Sequence, residues 1–114
     1  CPFQADESLD EDGLYHYLRE LAAVPGVKGL TVNGHTGEIM SLRPAERNRV
    51  VRVAADAVRD AGTGVKVISG VSAEGSLEAV DHAAAARDAG ADAILLMPPH
   101  HWLRFGRTHR TAVG

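Results

Sequence analysis

Gly29-Leu30-Thr31-Val32-Asn33-Gly34-His35-Thr36-Gly37-Glu38 is the stretch whose reading decides the fold. Its first four residues are a short apolar run that reads as the end of a buried strand from Val27 to Val32. Asn33 to Glu38 read as a glycine-bracketed turn, and Ser41 opens a long helical pattern. Strand, tight turn and helix make one βα unit. The turn also reads as a binding site: glycine has no side chain to block a ligand, and free backbone N–H groups can receive an anion. The Thr36 hydroxyl adds a donor, so a carboxylate is the natural guest. By spacing alone, the same glycines could equally serve turn geometry. The turn is not a Walker phosphate loop, since no Gly-Lys-Ser/Thr follows, nor does it have the dinucleotide-binding glycine spacing.

Upstream, Ser8-Leu9-Asp10-Glu11 predicts a capping box. Leu14, Leu18 and Leu21 then fall on one helical face, and Pro25-Gly26 ends that helix. Downstream, the second helix is expected from Ser41 to Ala61, with Pro44 in its first turn and Val50, Ala54, Ala57 and Val58 buried. Gly62 stops it, and Val65-Lys66-Val67-Ile68 reads as the next strand. A third helix is expected over Ser76 to Ala89, with Val80, Ala83 and Ala84 inward and Gly90 as its stop. Ala93-Ile94-Leu95-Leu96-Met97 is a third strand, closed by Pro98-Pro99. The order is αβαβαβ with short connections. Strands apolar at nearly every position predict a parallel sheet covered on both faces, with right-handed crossovers. We read residues 1–114 as a single domain. Periodicity alone leaves a (β/α)8 barrel and a doubly wound sheet both open.

In either architecture, ligands sit at the carboxyl ends of the strands. Three loops qualify: Gly34 to Glu38, Ser69 to Ser72, and Pro98 to Trp102. Composition narrows the partners. The chain has 114 residues, a formal net charge of −3 and an apolar share of 45%, which points to neither nucleic acid nor a membrane surface. Arg104, Arg107, His109 and Arg110 read as a solvated tail. The single cysteine, Cys1, leaves no internal disulfide, and with no bilayer-spanning apolar run the expected setting is cytoplasmic. His35, His100 and His101 lie in rim loops without accompanying cysteines or spaced carboxylates, so no metal site is expected. His16, His82 and His109 are expected to be solvated. The chain opens Cys1-Pro2-Phe3 and closes Thr111-Ala112-Val113-Gly114, which reads as a fragment of a longer protein.

Val32 to Glu38, followed by Ser41-Leu42 and Glu46-Arg47, resembles the dihydrodipicolinate synthase / N-acetylneuraminate lyase family. Pro2-Phe3 with Ser8-Leu9-Asp10, then Gly70-Val71-Ser72-Ala73, Ala89-Gly90-Ala91-Asp92-Ala93 and Pro98-Pro99, continue the resemblance in order along the chain. The resemblance implies an α/β fold, a partial (β/α)8 TIM barrel comprising roughly its first half and lacking most of strand one. It implies a class I aldolase or related carbon–carbon or carbon–oxygen lyase. In that family a lysine forms a Schiff base with pyruvate or another 2-oxo acid, and no cofactor is needed.

Carried over by residue, Gly34, His35, Thr36 and Gly37 would bind the substrate carboxylate, with Thr36 as the hydroxyl donor and Glu38 orienting the loop. His35 stands where the family has Thr or Ser, and His100-His101 replace a tyrosine pair that serves a proton relay in the synthase. A neutral imidazole can pass a proton near pH 7. His35 and His101 are therefore the candidate relay, in a branch acting on another 2-oxo acid. Lys28 and Lys66 start their strands, on the rim opposite the ligand loops, and are not expected to form the imine. The resemblance places the reactive lysine and a catalytic tyrosine beyond Gly114, leaving this chain inactive by itself. It also implies a homo-oligomer with Pro98 to Trp102 near the interface. The alternative is a non-catalytic α/β module that binds an anionic metabolite.

Overall fold

The computed structural model describes residues 1–105, with the side chains of 102–104 left aside. The basic residues Arg107, His109 and Arg110 of the expected tail lie outside the described residues. Residues 1–9 fold back on themselves through an antiparallel bridge between Phe3 and Leu9. Helix α1 spans Glu11–Ala23 and is capped by Asp10, whose carboxylate accepts the Gly13 N–H at 3.0 Å. The expected capping box at Ser8 does not form, because the Ser8 hydroxyl is taken by Asp6 at 2.6 Å. Leu14, Leu18 and Ala22 are buried, while Leu21 is only half-buried.

Strand β1 is Gly29–Val32, shorter than expected at its start. A short 3-10 turn, Ile39–Ser41, precedes helix α2 at Pro44–Ala61. The helix therefore starts three residues later than expected. Proline fits its first turn, where no N–H is needed, and the Glu46 carboxylate accepts the Arg43 N–H at 2.9 Å. Val50, Ala54 and Ala57 are buried as expected, joined by Val51 and Val53, while Val58 is half-buried against the same core. Burying side chains of this size contributes about 1.5–3 kcal/mol each for the valines. Gly62 ends the helix in the left-handed conformation at φ 68°.

Strand β2 runs Lys66–Val71, helix α3 Ser76–Ala89, strand β3 Ala93–Leu96 and helix α4 His100–Phe105. Two expectations change here. Ser69, Gly70 and Val71 belong to β2 rather than to a loop, and His100 onward is helical rather than irregular. In α3 the buried residues are Ala86 and Ala89, whereas Ala83 and Ala84 are half-buried and Val80 is exposed. The reason lies at the helix's far end, where Gly90 abuts α2: a Cβ there would sit 2.8 Å from that of Ala55.

The strands are parallel in the order β1-β2-β3, with Thr31 opposite Ile68 and Ile68 opposite Ala93. Helices α1, α2 and α3 pack side by side against the sheet. Leu30, Val32, Val67 and Val71 are buried among them, while Gly29, Thr31 and Lys66 are exposed. Sequential strand order with helices in one layer is the singly wound arrangement of a (β/α)8 barrel, not the doubly wound one. The expectation of two covered faces is thus corrected among the described residues. All four residues of β3 are exposed, Leu95 at 48% and Leu96 at 65%. No helix among the described residues is long and apolar enough to cross a membrane.

Candidate functional site

Parallel pairing puts the carboxyl ends of all three strands on one rim. There the chain leaves β1 through Asn33 and turns over His35 to Glu38. The turn is closed by the Glu38 N–H donating to the His35 carbonyl at 3.0 Å and the Ile39 N–H donating to the Gly34 carbonyl at 3.3 Å. Left-handed backbone falls on Asn33 (φ 57°) and Glu38 (φ 63°). Gly34 and Gly37 have negative φ, so the turn does not need glycine for its backbone dihedrals at these two positions. Gly34 faces open space, with nothing within 4 Å of where a Cβ would stand.

What the turn presents is a row of donors. Among the described residues, the N–H groups of His35, Thr36 and Gly37 donate no hydrogen bond, and the Thr36 hydroxyl has no protein partner. His35 and Thr36 are exposed. Successive unpartnered N–H groups make an anion-binding concavity. The Glu38 carboxylate lies 3.4 Å from the Cys1 nitrogen, so it ties the first residues to the turn. Beside the turn is a space of about 290 Å³ whose lining includes Thr36 and Gly37, Leu14 and Leu18 of α1, and Leu30 and Val32 of β1. The space lies along the free edge of β1, with both apolar and polar residues in its walls.

Behind the turn is a buried polar cluster. Asn33 is 2% exposed and Ser69 1%. The Asn33 Nδ2 donates to the Arg47 carbonyl at 3.0 Å and to Ser69 Oγ at 3.3 Å. Ser69 Oγ in turn donates to the Gly70 carbonyl at 3.2 Å. The Arg47 guanidinium donates from Nε to the Leu42 carbonyl at 3.1 Å and from Nη1 to the Ser72 carbonyl at 3.4 Å. A Cβ on Gly70 would fall 2.0 Å from the Asn33 carbonyl oxygen, so only glycine permits this crossing of β2 under the turn.

The other rim residues divide. The Glu74 carboxylate accepts the His101 N–H (3.1 Å from Oε2), joining the loop after β2 to α4. The His101 ring packs on Phe105, centroids 5.2 Å apart, and no contact joins it to His35 among the described residues. The expected relay pair is therefore not in contact. His82 is not solvated as expected: its side chain is only 18% exposed and lies 3.2 Å from Glu78. His16 is exposed, 3.9 Å from Asp12. Lys66 opens β2 and Lys28 precedes β1, at the opposite end of the sheet from the turn. No group of three His, Cys, Asp or Glu side chains gathers to hold a metal among the described residues.

Sequence reasoning did not identify Asn33 and Arg47 as supports of the turn. Gly70 stood in a quoted motif, but as part of a ligand loop. A glycine inside an apolar strand pattern is the signal that could have found it.

Comparison with known proteins agrees with this layout. A curated relative from Pseudarthrobacter chlorophenolicus, named "probable 5-dehydro-4-deoxyglucarate dehydratase", is 46% identical over 99 residues, covering 86% of this chain and 31% of the relative. The 4-hydroxy-tetrahydrodipicolinate synthase of Methanothrix thermoacetophila is 37% identical over 100 residues, covering 88% of this chain and 32% of that protein. The chain thus spans about a third of the length of these relatives. A crystal structure of YagE, a prophage protein of E. coli K12 belonging to the dihydrodipicolinic acid synthase family, in complex with pyruvate, superposes with a TM-score of 0.78 at 30% identity. That match covers 97% of this chain and 35% of YagE. The strands and helices correspond to the first half of the TIM barrel in such neighbours. The family model for the dihydrodipicolinate synthetase family matches residues 1–107, and the chain belongs to that family.

Proposed function

We propose that the full-length protein is a Schiff-base lyase acting on pyruvate or another 2-oxo acid, and that Gly34, His35, Thr36 and Gly37 hold the substrate carboxylate. The observation that carries this reading is the row of unpartnered N–H groups at His35, Thr36 and Gly37 beside the free Thr36 hydroxyl. A carboxylate set there would accept several charge-assisted hydrogen bonds, which are shorter and stronger than neutral ones. Two relatives support the substrate class. YagE was crystallised with pyruvate, and the named 5-dehydro-4-deoxyglucarate carries its keto carbon beside a terminal carboxylate.

The chemistry divides between this segment and a later one. An unprotonated lysine amine adds to the keto carbon, the carbonyl oxygen leaves as water, and the resulting imine withdraws electrons from the adjacent bond. Loss of a carbon fragment or of water then follows, and the dehydratase relative favours water loss. The turn fixes the acid end, so that the keto carbon meets the amine in a constant orientation. His35, exposed on the same turn, would be the group that exchanges a proton with the bound acid in this reading. Lys28 and Lys66, at the far end of the sheet, leave the imine to a lysine beyond Gly114. We place the full-length protein in the cytoplasm, in keeping with the single cysteine of this segment, and read it as a homo-oligomer by its family.

Borohydride reduction of the full-length protein with pyruvate tests this. The expected result is a covalent adduct on a lysine C-terminal to Gly114. Absence of any lysine adduct overturns the lyase reading and leaves the anion-binding module.

A further inference from the structure

We infer that Asn33 is a positioning residue that aims the carboxylate-binding donors of His35 to Gly37, acting from behind the turn without touching the ligand. This rests on the carboxylate-binding role proposed above. Asn33 enters the turn two residues before the first donor, its backbone is left-handed, and the residue is 2% exposed. Nδ2 fastens it to two different elements, α2 through the Arg47 carbonyl at 3.0 Å and β2 through Ser69 Oγ at 3.3 Å. Its carbonyl lies against Gly70, where even a methyl group would intrude. The start of the turn is thus held at three points, and the N–H groups that follow inherit its direction.

The residue type fits this task. A left-handed residue is best filled by glycine or asparagine. Glycine would supply the dihedrals without the two hydrogen bonds. Aspartate could not donate to the Arg47 carbonyl. Oδ1 has no hydrogen-bond partner among the described residues, and Asn33 lines a cavity of about 10 Å³ together with Arg47, Asn48, Ser72 and His82. The amide therefore serves its protein contacts through Nδ2.

The test compares Asn33→Gly with wild type in the full-length protein. Borohydride trapping rates are measured against pyruvate and against methyl pyruvate, which keeps the keto carbon but lacks the charged carboxylate. Asn33→Gly permits the left-handed backbone without strain and removes the side-chain fastening. The expected result is about a tenfold fall in preference for pyruvate over its ester, the effect of losing one hydrogen bond to a charged group. Ser69→Ala, which removes one of the two fastenings, moves the preference the same way by about threefold. It also serves should Asn33→Gly fail to fold. Both compounds are read on one sample, so loss of folded protein scales both rates alike. An unchanged preference in the folded variants, including an equal fall with both compounds, overturns the positioning role while leaving the lyase reading intact. A wild-type protein that traps neither compound overturns the lyase reading itself, and this inference with it.

Discussion

Gly70→Ala should damage the site although residue 70 reaches no ligand. The new Cβ would stand 2.0 Å from the Asn33 carbonyl oxygen, 2.7 Å from its carbonyl carbon and 3.2 Å from the Gly34 nitrogen. Real Cβ atoms essentially never approach within 3.0 Å, so the turn must retreat from β2 by about 1 Å at least. No rotamer can relieve the clash, because backbone meets backbone. Overpacking of this kind costs about 1–3 kcal/mol of stability. A 1 Å misplacement of a binding group can cost about a hundredfold in rate. Trapping of pyruvate by borohydride, followed against pyruvate concentration in the full-length protein, reads the second effect, and urea denaturation reads the first. Gly34→Ala is the control for stability, since open space surrounds its Cβ position and its φ is negative. It should shift stability by no more than about 0.5 kcal/mol. If Gly70→Ala matches wild type in both stability and trapping, the crossing of β2 under the turn does not constrain the site, and the reasoning fails.

Three further outcomes follow from particular contacts. Arg49 holds the Glu11 carboxyl below its ordinary value of 4.5 through hydrogen bonds at 2.7 and 2.8 Å. The pair is solvent-exposed, so Glu11→Gln should cost under about 1 kcal/mol at pH 7. A depressed carboxylate stabilises the fold fully above its unfolded value. The difference between wild type and Glu11→Gln should therefore vanish as pH falls below 4.5 through the folded value, and a gap that persisted in denaturation curves at lower pH would contradict the pairing. At the start of α1, a Cβ on Gly13 would fall 2.5 Å from Asp10 Oδ2, so Gly13→Ala displaces the cap. Its gain of about 1 kcal/mol in helix propensity should be cancelled by a similar cap loss in wild type, and should appear in full beside Asp10→Ala, as a double-mutant cycle by denaturation can measure. The isolated 114-residue chain should associate through the exposed strand β3, and Leu95→Lys should reduce that association in size-exclusion chromatography. Cooperative unfolding of the wild-type chain as a monomer would contradict the expectation.

The order of elements was legible because each is punctuated by strong local chemistry. Pro44 opens α2, while Gly62 and Gly90 close α2 and α3 with positive φ. Boundaries failed where two local signals competed. Ser8 and Asp10 both qualify as caps, and Asp6 decided the matter by taking the Ser8 hydroxyl. Ser41 looks like a helix start, but Ile39–Ser41 spend their hydrogen bonds in a 3-10 turn before Pro44 can begin α2. The inner face of α3 was misjudged because alanines at four successive positions, 83 to 86, carry no periodic signal. Packing of the helix's last turn, where Gly90 abuts Ala55 of α2, leaves Ala86 as the buried one of the four. Burial of β3 was misjudged because an apolar strand announces what it can cover, not what stands opposite it.

The site divides along a similar line. The half proposed to face the ligand, Gly34 to Gly37, stands out in the sequence as a donor-rich turn because donors and glycines are contiguous there. Its supporting half does not, since Asn33, Arg47 and the Ser69-Gly70 pair come from three places in the chain and meet only after the sheet has formed. A turn exposed to solvent can bend by an ångström at small cost, and water would satisfy its N–H groups in many orientations. The buried amide and the glycine beneath it remove that freedom before any ligand arrives. Affinity for a small anion that touches few atoms depends on this preorganisation more than on the number of contacts. On that argument, substitutions at the buried positions should change how well the site distinguishes a charged acid from its neutral ester, while substitutions of the apolar residues in α1 should change only how much protein is folded.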